Sequence, residues 1–167
     1  MKIKTDSRKV KPGDTFIAIK NVNTDGHDFI ESAIKNGASR VICEKGSYGV
    51  ETIIVPNTKE YLNNYLYKNY YPKFKDIKLI GVTGTNGKTT ICYLVYQLLT
   101  LLGKKCAYIG TIGFYCGNKQ KTLNNTTPDT DVLYDMLLEA KEYGCEYVVM
   151  EVSSHALDKN RVFGLEF

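Results

Sequence analysis

The chain has 167 residues, a net charge of +4, and 43% hydrophobic and 24% charged residues, the balance of an ordinary globular protein that buries roughly two thirds of its extended surface. The positive charge is spread without a basic block, so it tolerates anionic ligands and gives no case for nucleic acid; no apolar run is long enough for a signal peptide or a membrane helix, which points to the cytoplasm. Five cysteines, odd in number and without C-x-x-C spacing, read as reduced thiols rather than as disulfides or metal ligands.

Up to about residue 76, short apolar runs alternate with turn residues. Residues 15–19 read as a strand behind the turn Lys11-Pro12-Gly13-Asp14, and Phe29, Ile30, Ala33 and Ile34 mark a short helix over residues 28–36 that Gly37 ends. Residues 40–43 and 52–55 make two further strands. Pro56-Asn57-Thr58 opens a tyrosine-rich helix over residues 59–70 with Tyr61, Leu62, Tyr65 and Leu66 on one face. Its helical spacing and few basic neighbours indicate packing rather than base stacking. Pro72 and the charged residues 73–76 then read as a linker, dividing the chain into domains 1–76 and 77–167.

The second section is organised around Gly81-Val82-Thr83-Gly84-Thr85-Asn86-Gly87-Lys88-Thr89-Thr90. A strand over residues 78–82 precedes it, and Ile91, Leu94, Val95, Leu98, Leu99 and Leu102 follow at helical spacing. A strand, glycine loop and helix in that order turn several backbone N–H groups and the positive helix end toward one point, which suits a polyphosphate. Lys88 would neutralise the β and γ phosphates, and the Thr89 hydroxyl would help to hold Mg²⁺. Val82 stands where the usual signature has a glycine, five places before Gly87. An ordinary glycine turn is the alternative, and the agreement of position and sequence favours a nucleotide-triphosphate site.

Beyond that helix, residues 106–109 form a strand parallel to the first, because a helix joins them. Residues 110–121 read as two short strands about the turn Gly117-Asn118. Thr127-Pro128 fits an N-cap followed by proline in the first turn of a helix that points Val132, Leu133, Met136, Leu137 and Ala140 inward and ends at Gly144. A buried strand, residues 146–150, delivers Glu151-Val152-Ser153-Ser154-His155 at its carboxyl end, the edge at which open α/β sheets bind ligands. Glu151 reads as a magnesium carboxylate or as a solvated strand end, and pairing with the Thr89 loop favours the metal. Ser153, Ser154 and His155 do not make a nucleophile and its base, because adjacent residues rarely aim at each other and no carboxylate partner is evident. His155 is open between a structural and a functional role, and Asn124-Asn125-Thr126-Thr127 between helix capping and ligand binding.

Thr83-Gly84-Thr85-Asn86-Gly87-Lys88-Thr89-Thr90, Asn125-Thr126-Thr127-Pro128 and Met150-Glu151-Val152-Ser153-Ser154-His155-Ala156-Leu157 with Arg161-Val162 resemble the Mur ligase family. Within it they are most similar to the ligases that add the third peptide residue. Asp6-Ser7-Arg8, Pro12-Gly13-Asp14 and Asp25-Gly26-His27-Asp28-Phe29-Ile30 resemble the uridine-binding domain of those enzymes, so the likeness runs along the whole chain. It implies an α/β fold: a small N-terminal mixed α/β uridine-binding domain, then the first part of a P-loop, Rossmann-like, mostly parallel-sheet ATPase domain. The implied activity is ATP-dependent amide formation in the bacterial cytoplasm for peptidoglycan precursors. The free D-Glu carboxylate of UDP-N-acetylmuramoyl-L-alanyl-D-glutamate becomes an acyl phosphate, which the amine of meso-diaminopimelate or L-lysine attacks.

By the same resemblance, ATP meets Gly84, Thr85, Asn86, Gly87, Lys88, Thr89 and Thr90, with Lys88 catalytic, and Mg²⁺ meets Thr89, Glu151 and His155. The UDP-muramoyl substrate meets Asn125, Thr126, Thr127, Ser153, Lys159 and Arg161, and at its uridine end Thr5, Ser7, Val22, Asn23 and Thr24. Lys159 stands where relatives often carry Gln. Members of the family run to several hundred residues, with a third domain for the incoming amino acid and a carbamylated lysine that helps to place a second magnesium. The resemblance therefore implies a truncated amino-terminal piece, inactive alone and monomeric, able to self-associate through an unpaired sheet edge. Another amide ligase of the superfamily, such as folylpolyglutamate or cyanophycin synthetase, and a non-catalytic nucleotide- or UDP-sugar-binding module are the competing readings. The amino-terminal section speaks against the folate enzyme.

Overall fold

The computed structural model describes residues 3–20 and 24–167, so the expected substrate residues Val22 and Asn23 lie outside the described residues. The chain gathers into two compact units, Met1–Tyr65 and Leu66–Phe167. In the first, strands β1 (Ile3–Lys4), β2 (Thr15–Ile17), β3 (Arg40–Cys43) and β4 (Glu51–Ile54) form a parallel sheet in sequence order. Phe16, Ala18, Val41 and Cys43 meet Ile30 and Ala33 of α1 (Ile30–Lys35) in a core from which water is excluded.

The expected helix over residues 28–36 is only partly α-helical. Residues Gly26–Phe29 form a 3-10 turn, because Asp25 accepts from the His27 N–H at 3.0 Å and winds the chain tightly before α1 begins. Gly26 is required for space: a Cβ there would lie 2.5 Å from the Ile19 nitrogen, on backbone that cannot rotate away.

Helix α2 (Thr58–Phe74) begins in the first unit and ends in the second. It starts one residue before the expected point because Glu44 Oε1 accepts from both the backbone N–H and the hydroxyl of Thr58. At the other end it runs through Pro72, where a linker was expected. Proline removes one donor near a helix end. An aromatic chain holds that turn in place: Tyr67 stacks on Tyr71 at 5.1 Å, Tyr71 meets Phe74 edge-on, and buried Phe74 meets Tyr134 edge-on at 5.3 Å. The tyrosine-rich segment is a packing element, as its spacing implied.

The sheet of the second unit has the order β5-β9-β6-β7-β8. Strands β5 (Lys78–Val82), β9 (Tyr147–Glu151) and β6 (Cys106–Gly110) are parallel, and β7 (Gly113–Cys116) and β8 (Lys119–Lys121) form the expected antiparallel pair about Gly117 and Asn118. Helix α3 (Lys88–Leu101) carries the chain from β5 past one vacant position to β6, and β9 later fills that position. Cys92, Tyr93, Val95, Tyr96 and Leu99 of α3 pack on Cys106, Tyr108 and Val149. The apolar positions Ile91, Leu94, Leu98 and Leu102 form the helix as the spacing implied but face outward, so α3 is apolar on two sides. Alternation sends Ala107, Ile109, Val148 and Met150 to the opposite face, also buried. Helix α4 (Thr130–Tyr143) packs along β7. It buries Leu133, Tyr134, Met136, Leu137 and Ala140, while Val132, expected inward, is exposed. All five cysteines are free and buried. Among the described residues no helix is long and apolar enough to cross a membrane.

Candidate functional site

The register of the second sheet assembles the site. Val82, last residue of β5, pairs with Glu151, last residue of β9, so the glycine loop leaves the sheet beside that carboxylate. Gly84 (φ +140°) and Gly87 (φ +80°) take backbone conformations that side-chain-bearing residues rarely adopt, and Gly87 is the N-cap of α3. A fourteen-residue helix then starts at Lys88 with its first-turn N–H groups lacking helical acceptors. The residues from Thr83 to Gly87 are exposed, and the Lys88 ammonium folds back on the Gly84 and Thr85 carbonyl oxygens at 2.7 and 3.4 Å. The loop is therefore an exposed run of backbone beside one cation and a helix start, the parts from which phosphate-binding loops are built.

Glu151 is 1% exposed, far from a solvated strand end. Its Oε1 accepts from the Tyr108 hydroxyl at 2.7 Å and the Thr111 N–H at 2.8 Å, and its Oε2 from the Thr89 hydroxyl at 2.9 Å and the Thr111 hydroxyl at 3.2 Å. Burial, then the hydrogen bond to Glu151, pushes the Tyr108 hydroxyl far above its ordinary range, which keeps it a donor. Cys92, behind the carboxylate, is pushed up to about 12 by burial and then by the Glu151 charge, so it stays a thiol. Gly110 makes room for this arrangement, since a Cβ there would overlap the Glu151 carboxylate and the Tyr108 hydroxyl.

The donor set suits magnesium. A carboxylate and a hydroxyl, both hard oxygens and already 2.9 Å apart, stand beside a phosphate-type loop, and Mg²⁺ is commonly held by one or two carboxylates plus phosphate oxygens. His155, the third expected metal residue, is an exposed member of α5 (Ser154–Asp158), and its side chain makes no hydrogen bond among the described residues.

Three expected substrate residues are brought together behind Glu151. The Thr127 hydroxyl donates to the Glu151 carbonyl at 2.8 Å and accepts from the Ser153 N–H at 3.1 Å, so it ties two chain segments together instead of capping a helix. The N-cap of α4 is Asp129, two residues later than expected. Arg161 Nη1 donates to the Thr127 carbonyl at 3.0 Å. Its buried Nε pairs with Asp129 Oδ1 at 2.7 Å, although among the described residues that N–H points straight at no acceptor. Ser153 caps α5 through the Ala156 N–H. Thr126 reaches Thr111 through a 3.0 Å contact between their hydroxyls. Asn125 is exposed, and Lys159 pairs loosely with Asp158 at 3.6 Å.

Among residues expected at the uridine end, Ser7 is buried in a 3-10 turn where its carbonyl accepts from Asn36, Thr5 is half-buried and Thr24 is exposed. Reasoning from the sequence missed Tyr108, Gly110 and Thr111. The signal was available in Gly110, a glycine closing a strand that otherwise reads as continuous core.

Family models match nearly the whole chain: the Mur ligase middle domain over residues 82–167 and the Mur ligase family catalytic domain over residues 2–82. The chain is 42% identical over 172 residues to a UDP-N-acetylmuramoyl-L-alanyl-D-glutamate--2,6-diaminopimelate ligase of Clostridium botulinum, covering 99% of this chain and 36% of that protein. It is 37% identical over 169 residues to the ligase of that name from Parabacteroides distasonis, covering 99% of this chain and 35% of that protein. A solved structure of a ligase of the same name is similar over 98% of this chain and 34% of its own, with TM-score 0.76 and 32% identity. The MurF ligase of Thermotoga maritima in complex with ADP is similar over 91% of this chain and 32% of its own, with TM-score 0.63 and 27% identity. The chain thus spans about a third of the length of these relatives. With the middle-domain model spanning the glycine loop, the Thr127 segment and the Glu151 strand end, and the second model covering the residues before them, the chain belongs to the Mur ligase family.

Proposed function

We propose that this chain carries the substrate-gripping and phosphate-gripping parts of an ATP-dependent amide ligase of cytoplasmic peptidoglycan precursor synthesis. Residues 1–76 serve as the uridine-side module, through Thr5, Ser7, Val22, Asn23 and Thr24, and residues 77–167 as the start of the ATP-binding domain. In the reaction, the free D-glutamyl carboxylate of UDP-N-acetylmuramoyl-L-alanyl-D-glutamate takes the terminal phosphoryl group of ATP, and an incoming amine displaces the phosphate. The Clostridium botulinum and Parabacteroides distasonis relatives are 2,6-diaminopimelate ligases, which favours that amine over L-lysine.

One observation carries the reading: Lys88 and the first turn of α3 stand beside a buried Glu151 already hydrogen-bonded to Thr89. Lys88 would turn from the loop carbonyls to the phosphates, and the α3 N–H groups would hold them in line. Thr89 and Glu151 would hold a magnesium ion, which supplies charge neutralisation to the phosphates. Arg161, its guanidinium set in place by Asp129 and the Thr127 carbonyl, would meet an anionic group of the muramoyl compound, flanked by Asn125, Thr126, Thr127, Ser153 and Lys159. That the Thermotoga maritima relative was solved in complex with ADP supports an adenine nucleotide as a ligand of this chain.

Titration calorimetry on the purified chain tests this. Mg·ATP and UDP-N-acetylmuramoyl-L-alanyl-D-glutamate should each bind, and Lys88→Ala should weaken Mg·ATP by about 2 kcal/mol or more, roughly thirtyfold, without changing the muramoyl compound's affinity. Equal Mg·ATP affinity in the variant and the parent would remove the proposal.

A further inference from the structure

Thr111 touches both halves of the site through its backbone amide and its side-chain hydroxyl. Its N–H and hydroxyl hold one oxygen each of the Glu151 carboxylate, at 2.8 and 3.2 Å, and the same hydroxyl lies 3.0 Å from that of Thr126. A threonine hydroxyl has one proton. Because that proton goes to Glu151 Oε2, the Thr111 oxygen must accept from Thr126, which fixes the order Thr126 to Thr111 to Glu151. Glu151 Oε2 is also the oxygen that accepts from Thr89, so the chain of hydroxyls ends at the atom facing the phosphate loop. Tyr108 holds Oε1 from the buried side.

We propose that Thr111 is a positioning residue that couples the metal-facing oxygen of Glu151 to the Asn125-Thr126-Thr127 segment, an inference that rests on the nucleotide and muramoyl reading above. Two consequences follow from the proton order. Groups that hold a ligating carboxylate in one rotamer raise its affinity for metal, typically by 10- to 100-fold. The Thr126 hydroxyl, its proton committed to Thr111, can only accept from a ligand. The group it meets is therefore an amide N–H or a sugar hydroxyl of the sugar–peptide, and not a phosphate oxygen.

Thr111→Val removes the hydroxyl, keeps the N–H and nearly keeps the shape, at an exposed position where the fold tolerates it. Thr111→Ser restores the hydroxyl. With Mn²⁺ as a paramagnetic probe and the β,γ-imido analogue of ATP, electron paramagnetic resonance titration should show Mn²⁺ bound about tenfold more weakly in Thr111→Val and near the parent value in Thr111→Ser. Calorimetry with UDP-N-acetylmuramoyl-L-alanyl-D-glutamate should show a loss of several-fold in the valine variant, again recovered by serine. Nucleotide affinity in EDTA should be the same in all three proteins. Parent-like Mn²⁺ affinity in Thr111→Val, or a loss that serine does not recover, overturns the role of Thr111 alone. A parent chain that binds neither the nucleotide–Mn²⁺ pair nor the muramoyl compound overturns the functional reading and this inference with it.

Discussion

Two polar constellations, one in each compact unit, differ in where their hydrogen bonds end. In the first unit, Asp25 holds the His27 N–H and ring Nδ1 at 3.0 and 2.6 Å, His27 Nε2 accepts from the Glu44 N–H at 3.0 Å, and Glu44 holds the start of α2. Since Nε2 accepts from an N–H, the ring proton is on Nδ1, and each of the donors named here has its acceptor. This is a strut. In the second unit, Glu151 is equally well hydrogen-bonded, but beside it stand exposed loop N–H groups and a lysine folded onto carbonyl oxygens. The exposed loop donors beside Glu151 are what the proposed site has and the strut lacks.

The largest effects should come from the two glycines that give each constellation its room. Gly110→Ala drives a methyl group into the Glu151 carboxylate and the Tyr108 hydroxyl, and Gly26→Ala drives one into the Ile19 backbone. Each should lose about 2–4 kcal/mol in urea denaturation, from overpacking plus a lost or strained hydrogen bond. The two should part on function: Gly110→Ala abolishes metal-dependent nucleotide binding, whereas folded Gly26→Ala keeps the parent affinity. If both variants bound nucleotide like the parent, the Glu151 cluster would be a second strut.

A smaller effect is expected from His27→Ala, which leaves the Glu44 N–H without its acceptor and Asp25 without its ring partner. Stability should fall by about 1–2 kcal/mol with no change in Mg·ATP affinity measured well below the melting temperature. Asp25, held below its ordinary value first by the His27 backbone N–H and then by the ring, adds a pH signature. Its contribution is present above the unfolded carboxylate value and is lost as pH falls through the lower folded one. The gap between parent and variant should therefore narrow in acid. A gap that stayed constant to pH 2 would detach Asp25 from the strut.

Much of this was legible because it rests on local chemistry. The glycine loop between strand and helix, the hairpin at Gly117-Asn118 and the carboxylate at the end of β9 each follow from spacing and turn residues, and the register of Val82 with Glu151 then brings the loop and carboxylate together. Residues whose role depends on a distant partner were not legible. Thr127 before Pro128 has the form of a cap, but its hydroxyl is taken by Glu151 and Ser153 across the sheet end. Tyr108 looks like strand core, and only Glu151, more than forty residues away, makes it a donor to the site. The outward face of α3 was equally hidden, because helical spacing shows that a stripe exists and not which of two apolar sides meets the sheet. Pro72 reads as a break until Phe74 docks on Tyr134.

The smallest effect concerns a surface tether that serves neither constellation. Lys119 and Lys121, two apart on β8 and so on one face, both reach Glu139 of α4, with Lys119 at 3.0 Å. Burial of Glu139 raises its carboxyl, but the hydrogen bonds from Lys121 and Lys119 outweigh it and hold the group below its ordinary value. The Glu139 side chain is only 18% exposed, yet the lysines that hold it are 66% and 49% exposed, so water and salt screen the pair as they would on any surface. Glu139→Gln should lower stability by less than about 1 kcal/mol at pH 7 and leave nucleotide affinity unchanged. A depressed folded value stabilises only while the unfolded carboxylate is ionised. The difference between parent and variant should therefore be complete above the unfolded value near pH 4.5, fade as pH falls through the folded one, and shrink in about 1 M salt. A difference indifferent to both pH and salt would mean that Glu139 acts through packing of its stem against β8, and that charge does not hold this ribbon to the helix.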